Sequence, residues 1–189
     1  LKNDVLAHEA SLKLAKANFY KKDFDWTLQQ VKVLKQSPSL LIANDAIEMF
    51  LLIQDNSAED SLRVALQAYA KADLQLYQNK KEEALQLFLA ILQKHKGESI
   101  EEGTLFKVGK IYEEKGDFNK ALTYYQNILD SHKDGIYKDE ALYFSAEIYR
   151  KHLLDNEKAK ALYEKVVLEH PDSLYYTESR KQYRTLRGD

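Results

Sequence analysis

The sequence predicts an all-α fold, a right-handed superhelical stack of antiparallel helix pairs that forms an α-solenoid of about ten helices. Two observations predict it. Glycine and proline are scarce, with 6 Gly and 2 Pro among 189 residues, whereas turn-rich β folds and disordered chains use many more of both. In addition, one amphipathic pattern returns at a nearly constant spacing, which is typical of helical-repeat proteins.

Three segments carry this pattern, and they begin at Asn79, Gly116 and Asp155. Each has a capping or helix-breaking residue, a charged pair, a small residue, and an apolar or aromatic residue four positions later. Positions i, i+4 and i+7 lie on one face of a helix, so each segment is predicted to be an amphipathic helix. The small residues stand 37 and 38 positions apart. The three faces consist of Ala84, Phe88 and Ile91, of Ala121, Tyr125 and Ile128, and of Ala159, Tyr163 and Val166.

A second helix is predicted upstream of each of these segments. In the clearest case Leu105, Val108 and Tyr112 share one face. Gly109 lies where a neighbouring helix must come close, because a residue without a side chain permits close approach. The repeating unit is therefore a tightly packed antiparallel helix pair. The positions equivalent to Gly109 in the neighbouring repeats are Ala72 and Ala146.

Helix start and stop signals set the predicted boundaries. The candidate N-caps are Asp23, Asp117 and Asp155, and Ser173 precedes the final helix. Helices are expected to end near Gly97 and Gly135, and Pro38 and Pro171 lie beyond helix ends. The predicted helices are 4–20, 24–36, 40–54, 58–78, 81–95, 101–115, 118–131, 137–152, 157–169 and 173–186.

These helix pairs resemble the tetratricopeptide repeat. Pro171 matches the closing proline of that family, where the two earlier units have Lys96 and Lys133. The resemblance covers residues 66–171, and the pitch exceeds the family's usual ~34 residues. It is weaker over residues 7–38, where Ala15, Phe24 and Pro38 fit the pattern. The residues that carry it in the clearest unit are Leu105, Val108, Gly109, Tyr112, Gly116, Phe118, Ala121, Tyr125 and Ile128.

The predicted organisation is a single solenoid of this kind over residues 1–189. The apolar helix 40–54 fits no helix pair and is interpreted as a junction between two sub-stacks or, alternatively, as half of a degenerate repeat. The parts are a first divergent repeat at 7–38, an irregular junction helix at 39–57, repeats at 58–96, 101–133 and 137–171, and a C-terminal capping helix at 173–187.

Composition excludes several classes of function. The chain has no Cys, so disulfides, thiolate catalysis and Cys-based zinc sites are excluded. Its net charge of −2 gives no field that favours nucleic acid, and no apolar run approaches the roughly 20 residues that cross a bilayer. The motifs of dinucleotide, P-loop, serine-hydrolase and zinc-protease sites are missing. We therefore expect no enzyme, no cofactor, no nucleic-acid partner and no membrane span.

Three histidines recur with the repeat, each eleven residues after its small residue: His95, His132 and His170. A histidine column raises the question of a metal site, since imidazole is a common ligand. Equivalent positions in a helical stack are, however, about 10 Å or more apart. We expect these residues to lie near helix C-termini, where they meet the negative end of the helix dipole, and we expect no metal.

The resemblance implies a concave groove lined by the first helix of each pair. In that groove Leu12, Tyr69, Phe106 and Tyr143 would form one column, and Lys16, Asp73, Lys110 and Glu147 would run beside it. Aromatic anchors flanked by charges suit a peptide-binding site. The predicted partner-binding residues are Tyr69, Asp73, Phe106, Lys110, Tyr143 and Glu147, and further groove residues are Phe19, Tyr20, Tyr77, Glu113, Glu114, Arg150 and Lys151.

Other interpretations of these aromatic and charged residues stay open. The rings of Tyr69, Phe106 and Tyr143 would alternatively cover the interface between adjacent repeats. The clamp for acidic chaperone tails known in this family is not expected, because Leu12 and aromatic residues replace its lysine. Four other tyrosines are predicted to pack in the core: Tyr112, Tyr125, Tyr149 and Tyr163. The basic face of the final helix is interpreted as a solvated outer face: Arg180, Lys181, Arg184 and Arg187.

The leading hypothesis for function is a non-catalytic scaffold that binds a partner protein or peptide through its helical-repeat surface. The alternative is a structural module that self-associates into a homo-oligomer through the apolar helix at 40–54, and a further one is an accessory to an envelope enzyme or transport complex.

Location is a separate expectation. The long pitch, with the phrases 139–144 and 170–173, is similar in style to the tetratricopeptide repeat proteins of the bacterial cell envelope that serve outer-membrane assembly and Tol–Pal coordination. That likeness, the lack of Cys and a first residue other than Met favour an exported bacterial protein, periplasmic or outer-membrane associated, with the cytoplasm as the alternative.

Overall fold

The structure is a computed structural model that describes residues 5–57, 62–132 and 135–189. Within these ranges the chain is all-helical, with ten α-helices and no strand, which confirms the predicted fold class. The predicted helix starts at residues 4 and 58, and Lys133, lie outside the described residues. The helices are α1 (Val5–Tyr20), α2 (Phe24–Leu34), α3 (Leu40–Asp55), α4 (Val64–Tyr77), α5 (Lys81–Lys94), α6 (Ile100–Glu114), α7 (Phe118–Ser131), α8 (Lys138–Ile148), α9 (Asn156–Glu169) and α10 (Tyr176–Arg187).

The chain divides into two compact units, residues 1–104 and residues 105–189, and the division falls inside α6. In the first unit α2 packs against α1 and α3, α4 packs against α5, and α1 also contacts α3 and α4. In the second unit α8 packs against α7 and α9, and α9 packs against α10. The apolar α3 buries Ile42, Ala46 and Ile53, while Leu40 and Leu41 are exposed.

Four turns share one backbone geometry, those between α1 and α2, α4 and α5, α6 and α7, and α8 and α9. In each, one residue is left-handed and the next amide donates back to a carbonyl near the end of the preceding helix. This is the Schellman type of helix ending, which usually takes glycine. The left-handed residues are Lys22 (φ 66°), Asn79 (φ 61°), Gly116 (φ 77°) and Leu154 (φ 55°).

The last repeat is one residue longer than the repeat before it, and the cause lies at the end of α8. Tyr149 follows Tyr112 at a spacing of 37 positions, but Leu154 follows Gly116 at a spacing of 38. The additional residue is taken up by a π-helical segment, Tyr149–Leu153, as single-turn π-bulges commonly do. The Asp155 amide consequently donates to the Tyr149 carbonyl six residues back, whereas the amide of Asp117 donates to Tyr112, five residues back. Within the predicted helix 137–152, the α-helical part therefore ends at Ile148, and the π-helical segment follows it.

Small residues lie where the helices pack, as predicted. The side chains of Ala72, Ala84, Ala121, Ala146 and Ala159 are fully buried. In the second unit Ala146 and Ala159 pack with Tyr163, so the first and second helices of that pair meet through two methyl groups and one ring.

Three of the predicted N-cap positions are confirmed, and two of these residues make the side-chain cap bond. The Asp117 carboxylate accepts the Lys120 amide, and the Asp155 carboxylate accepts the Lys158 amide at 3.1 Å. Asp23 stands at the N-cap of α2 but makes no side-chain cap bond. The prediction at Ser173 is wrong, since α10 begins at Tyr176. The Ser173 hydroxyl instead accepts the Tyr175 amide at 3.0 Å in a local turn.

Candidate partner-binding surface

In the second unit, two predicted aromatic residues belong to one group of aromatic rings in contact. Phe106 of α6 lies 6.0 Å from Phe144 of α8, measured between ring centroids, and Phe144 lies 5.3 Å from Tyr143. Phe106 also stacks on Tyr137 at 4.9 Å, and Tyr143 on Tyr175 at 4.3 Å. We call Phe106, Tyr137, Tyr143, Phe144 and Tyr175 the aromatic cluster. All but Tyr137, which is 2% exposed, are half-buried.

Sequence reasoning missed three members of the aromatic cluster. Tyr175 follows Tyr137 by one repeat, and Ile100 precedes Tyr137 by one repeat. The repeat spacing therefore marks a recurrent apolar position just ahead of each first helix, and this signal was available. Phe144 carries no such signal, because the equivalent residue in the preceding repeat is Lys107.

Lys110 of α6 is held over the aromatic cluster by two contacts. Its Nζ lies 3.7 Å from the centroid of the Phe144 ring and 2.9 Å from Oε2 of Glu113. The same Glu113 oxygen accepts the hydroxyl of Tyr125 at 2.7 Å. Burial, reinforced by the charge of Glu113, raises the pKa of Tyr125 far above its ordinary value. Tyr125 therefore remains neutral, and its hydroxyl donates a hydrogen bond from the core to Glu113 of the ion pair.

Glu147 of α8 is a buried carboxylate with three donors. It accepts the Tyr163 hydroxyl, Nη2 of Arg150 at 3.0 Å and Nζ of Lys151. Burial acts to raise the pKa of Glu147, but the hydrogen bonds from Lys151, Tyr163 and Arg150 outweigh it and lower the pKa below its ordinary value. Burial and the bond to Glu147 raise the pKa of Tyr163. This arrangement fixes Glu147 as a carboxylate.

The two repeats place opposite charges at equivalent positions. Glu147 follows Lys110 by one repeat, and Arg150 follows Glu113 by the same spacing. The ion pair on α6 is Lys–Glu, whereas the next repeat has Glu–Arg, with Glu147 on α8 and Arg150 in the π-helical segment that follows it. Both pairs have the spacing i, i+3. A ligand lying across these helices would meet both signs of charge.

In the first unit the predicted residues are distributed between interior and surface. Tyr69 is 2% exposed and packs edge-to-face on Phe88 at 5.3 Å. Asp73 accepts the hydroxyl of Tyr20 at 3.0 Å, and Tyr20 packs at 5.8 Å against Tyr77, which is 69% exposed. Leu12 and Phe19 are also buried, and Lys16 pairs with Asp45 at 3.1 Å. The surface of this unit therefore offers Tyr20 and Tyr77, whereas Tyr69 lies in the interior.

The recurrent histidines cap helices. His95, His132 and His170 are the C-cap residues of α5, α7 and α9. Each amide donates to the carbonyl four residues earlier at 2.8 to 3.0 Å, so the predicted place near helix C-termini is confirmed. Among the described residues, no group of three or more His, Cys, Asp or Glu side chains is arranged to hold a metal ion.

The basic residues of α10 lie on one exposed side of that helix. Arg180, Lys181 and Arg184 border a shallow cavity together with Asp189, which also pairs with Arg187. In the part of the chain that the structure describes, none of the helices combines the length and the apolar character needed to cross a membrane.

Comparison with protein families identifies the repeats of the second unit. The sequence model of the tetratricopeptide repeat matches residues 104–135 and residues 140–173. These two segments are tetratricopeptide repeats. The first contains α7 and most of α6, and the second contains α9 and most of α8. Tetratricopeptide repeats generally mediate protein–protein interaction, typically in non-catalytic scaffolds. No curated protein matches the chain in sequence.

Proposed function

We propose that this protein is a non-catalytic scaffold that binds a segment of a partner protein over the aromatic cluster. The observation that carries the proposal is a set of four half-buried aromatic rings in mutual contact, beside two ion pairs whose order of charges is reversed from one repeat to the next. In the first unit, Tyr20, Asp73 and Tyr77 form a separate candidate surface.

The rings suit binding because their positions are already fixed in the free protein. Phe144 contacts Phe106, Tyr143 and Tyr175, so each ring limits the rotation of its neighbours. Rigid aromatic side chains lose little conformational entropy on binding, and they are common among residues that contribute most to interfaces. A partner that covers these rings would therefore gain apolar contact at low entropic cost.

The charges are suited to orienting the partner. Lys110 and Glu147 already have intramolecular partners, so breaking those pairs would offset much of any new ion pair. Lys151, whose side chain is 52% exposed, has room for an additional contact. We expect the aromatic rings to contribute most of the affinity and the charges to select the direction of the bound segment.

Affinity capture with a double variant tests the proposal. The protein carrying Phe106→Ala and Tyr143→Ala is compared with wild type, and bound proteins are identified by mass spectrometry. Trp26→Ala is the matched control, because Trp26 is an exposed ring of the first unit, 55% exposed. We expect the double variant to lose proteins that wild type and the control retain. Undiminished recovery by a folded double variant would reject this site. The proposed envelope location is tested by fractionating cells that make the full-length protein.

Self-association is the second candidate, and one observation favours it. Leu40 and Leu41 at the start of α3 are 74% and 72% exposed, and exposed apolar groups mark contact sites when they are contiguous. Light scattering after gel filtration decides this. A strict monomer at high concentration removes the candidate. A dimer that dissociates when Leu40→Asp and Leu41→Asp are combined supports it.

A further inference from the structure

A groove between α7 and α9 is a second surface with the features of a binding site. Its volume is about 520 Å³, and its floor is formed by Ser145 and Tyr149 at the end of α8. The groove exists because α8 packs against both α7 and α9 and so lies beneath them. It is formed by the second helices of the two repeats, and none of its lining residues belongs to the aromatic cluster.

Apolar side chains line both walls of the groove. Leu122 and Leu129 of α7 face Leu162 of α9 across the groove, and all three are half-buried. Ala161 also lines it and is exposed. Because alanine has only a methyl group, the wall of α9 has space at this point for an apolar side chain of a ligand.

The charge of the groove has one sign. Lys158 and Lys165 of α9 are the charged residues of the lining, and no carboxylate lines it among the described residues. The lysines are seven residues apart and lie on either side of Ala161 in the sequence. At about 1.5 Å per residue, two helical turns separate them by roughly 10 Å along the groove. Lys158 pairs with the capping Asp155 at 2.9 Å but keeps 61% of its side chain exposed.

We propose that this groove binds an acidic amphipathic helix of another protein. Its apolar residues would lie between Leu122 and Leu162 over Ala161, and two carboxylates would meet Lys158 and Lys165. In a ligand helix parallel to α9, two acidic residues seven positions apart would be separated by the same distance as Lys158 and Lys165. The apolar residues would stand three and four positions after the first acidic residue. Amphipathic helices bind grooves between helices in this way, and complementary charge selects them from other apolar segments.

Selection of peptides from a random displayed library of 16-residue sequences tests this proposal with the full chain. We expect the selected peptides to carry two acids seven residues apart around apolar residues. A selected peptide, synthesised with a fluorophore, should bind Lys165→Glu or Ala161→Trp at least about tenfold more weakly than wild type, as expected for losing a close charge pair or the central contact.

Matched controls separate this groove from other surfaces. Lys181→Glu reverses the same charge on α10, and Thr185→Trp adds the same ring there, so both should leave the affinity within about twofold. The Phe106→Ala and Tyr143→Ala variant should also bind normally, which keeps a failure here distinguishable from a failure of the proposed function. Thermal unfolding checks that each variant is folded.

Four results would overturn the proposal. The selection could yield no binding peptide, or it could yield peptides without paired acids. The selected peptides could bind Ala161→Trp as tightly as wild type. Finally, the protein could self-associate in a way that Ala161→Trp abolishes. The last would identify a second copy of the chain as the occupant.

Discussion

Gly109 of α6 lies so close to Tyr125 of α7 that a Cβ atom added to the glycine would be 2.5 Å from Cε1 of the ring. Contacts between carbon atoms are ordinarily about 3.5 to 4.0 Å. Tyr125 is fully buried and its hydroxyl is held by Glu113, so the ring has no room to withdraw. The close approach predicted for Gly109 from the sequence is confirmed, and its partner is the ring that the sequence placed in the core.

The first prediction is that Gly109→Ala destabilises the protein. Overpacking costs about 1 to 3 kcal/mol, and the better helix propensity of alanine returns up to about 1 kcal/mol. We expect the free energy of unfolding to fall by about 1 to 2 kcal/mol, measured by urea denaturation. The reciprocal change Ala146→Gly, where the methyl group is accommodated, should also destabilise. A Gly109→Ala protein as stable as wild type would contradict the close contact.

A second prediction concerns the left-handed residue Leu154. A side chain in this conformation costs roughly 1 to 2 kcal/mol, and glycine avoids that cost but loses about 0.5 to 1 kcal/mol more in chain entropy. Leu154 is 77% exposed, so removing it sacrifices little packing. We expect Leu154→Gly to raise the free energy of unfolding by up to about 1 kcal/mol.

The equivalent glycine provides the matched experiment. Gly116 has φ 77° and nothing within 4 Å of an added Cβ, so Gly116→Leu tests the backbone conformation without a steric clash. Its midpoint of thermal unfolding should fall while that of Leu154→Gly rises. Shifts of the same sign in both variants would show that the left-handed backbone is not the cause.

The helix pairs were predictable because their signals are periodic. The buried alanines recur once in every repeat, and Asp117 and Asp155 stand where helices must begin. The left-handed turns were less visible. Gly116 is a recognisable residue for such a turn, but Lys22 and Leu154 occupy the same conformation because the surrounding helix pair imposes it. The additional residue of the last repeat could be counted from the sequence, yet the pitch alone does not say that a π-helical segment absorbs it.

The candidate surface was predictable only in part. Phe106 and Tyr143 were identified by position, and the structure joins them through Phe144. No repeat signal identifies Phe144, because Lys107 precedes it by one repeat. Burial likewise depends on neighbours that the sequence pattern does not specify, and Tyr69 lies inside because Phe88 packs against its ring. Equivalent positions in a repeat thus fix the direction of a side chain better than they fix its exposure.

A third prediction is that Lys110 and Phe144 are energetically coupled. The Nζ atom lies 3.7 Å from the ring centroid, and partly exposed contacts of this kind contribute about 0.5 to 1 kcal/mol. A double-mutant cycle with Lys110→Gln and Phe144→Leu, measured by urea denaturation, should yield a coupling of that size. A cycle with Lys181→Gln in place of the Lys110 variant should be additive. Equal coupling in the two cycles would show a general effect of charge and not the contact.

The last prediction uses the lowered pKa of Glu147. A carboxylate whose pKa is lower in the folded than in the unfolded chain stabilises the fold above its unfolded pKa, about 4.3, and this contribution disappears as the pH falls through the folded pKa. At pH 7 Glu147→Gln removes an acceptor from Arg150 and Tyr163 and should cost about 1 to 3 kcal/mol. At pH 3, which lies below the unfolded pKa, part of this contribution is already lost, so the difference between wild type and variant should shrink. Glu157→Gln, on an exposed pair with Lys160, should change stability by less than about 1 kcal/mol at pH 7.

Urea denaturation at both pH values measures the stability of wild type and of the two variants. A difference for Glu147→Gln that stays constant with pH would mean that the charge of Glu147 does not stabilise the fold, and that only the shape of its hydrogen-bonded site does.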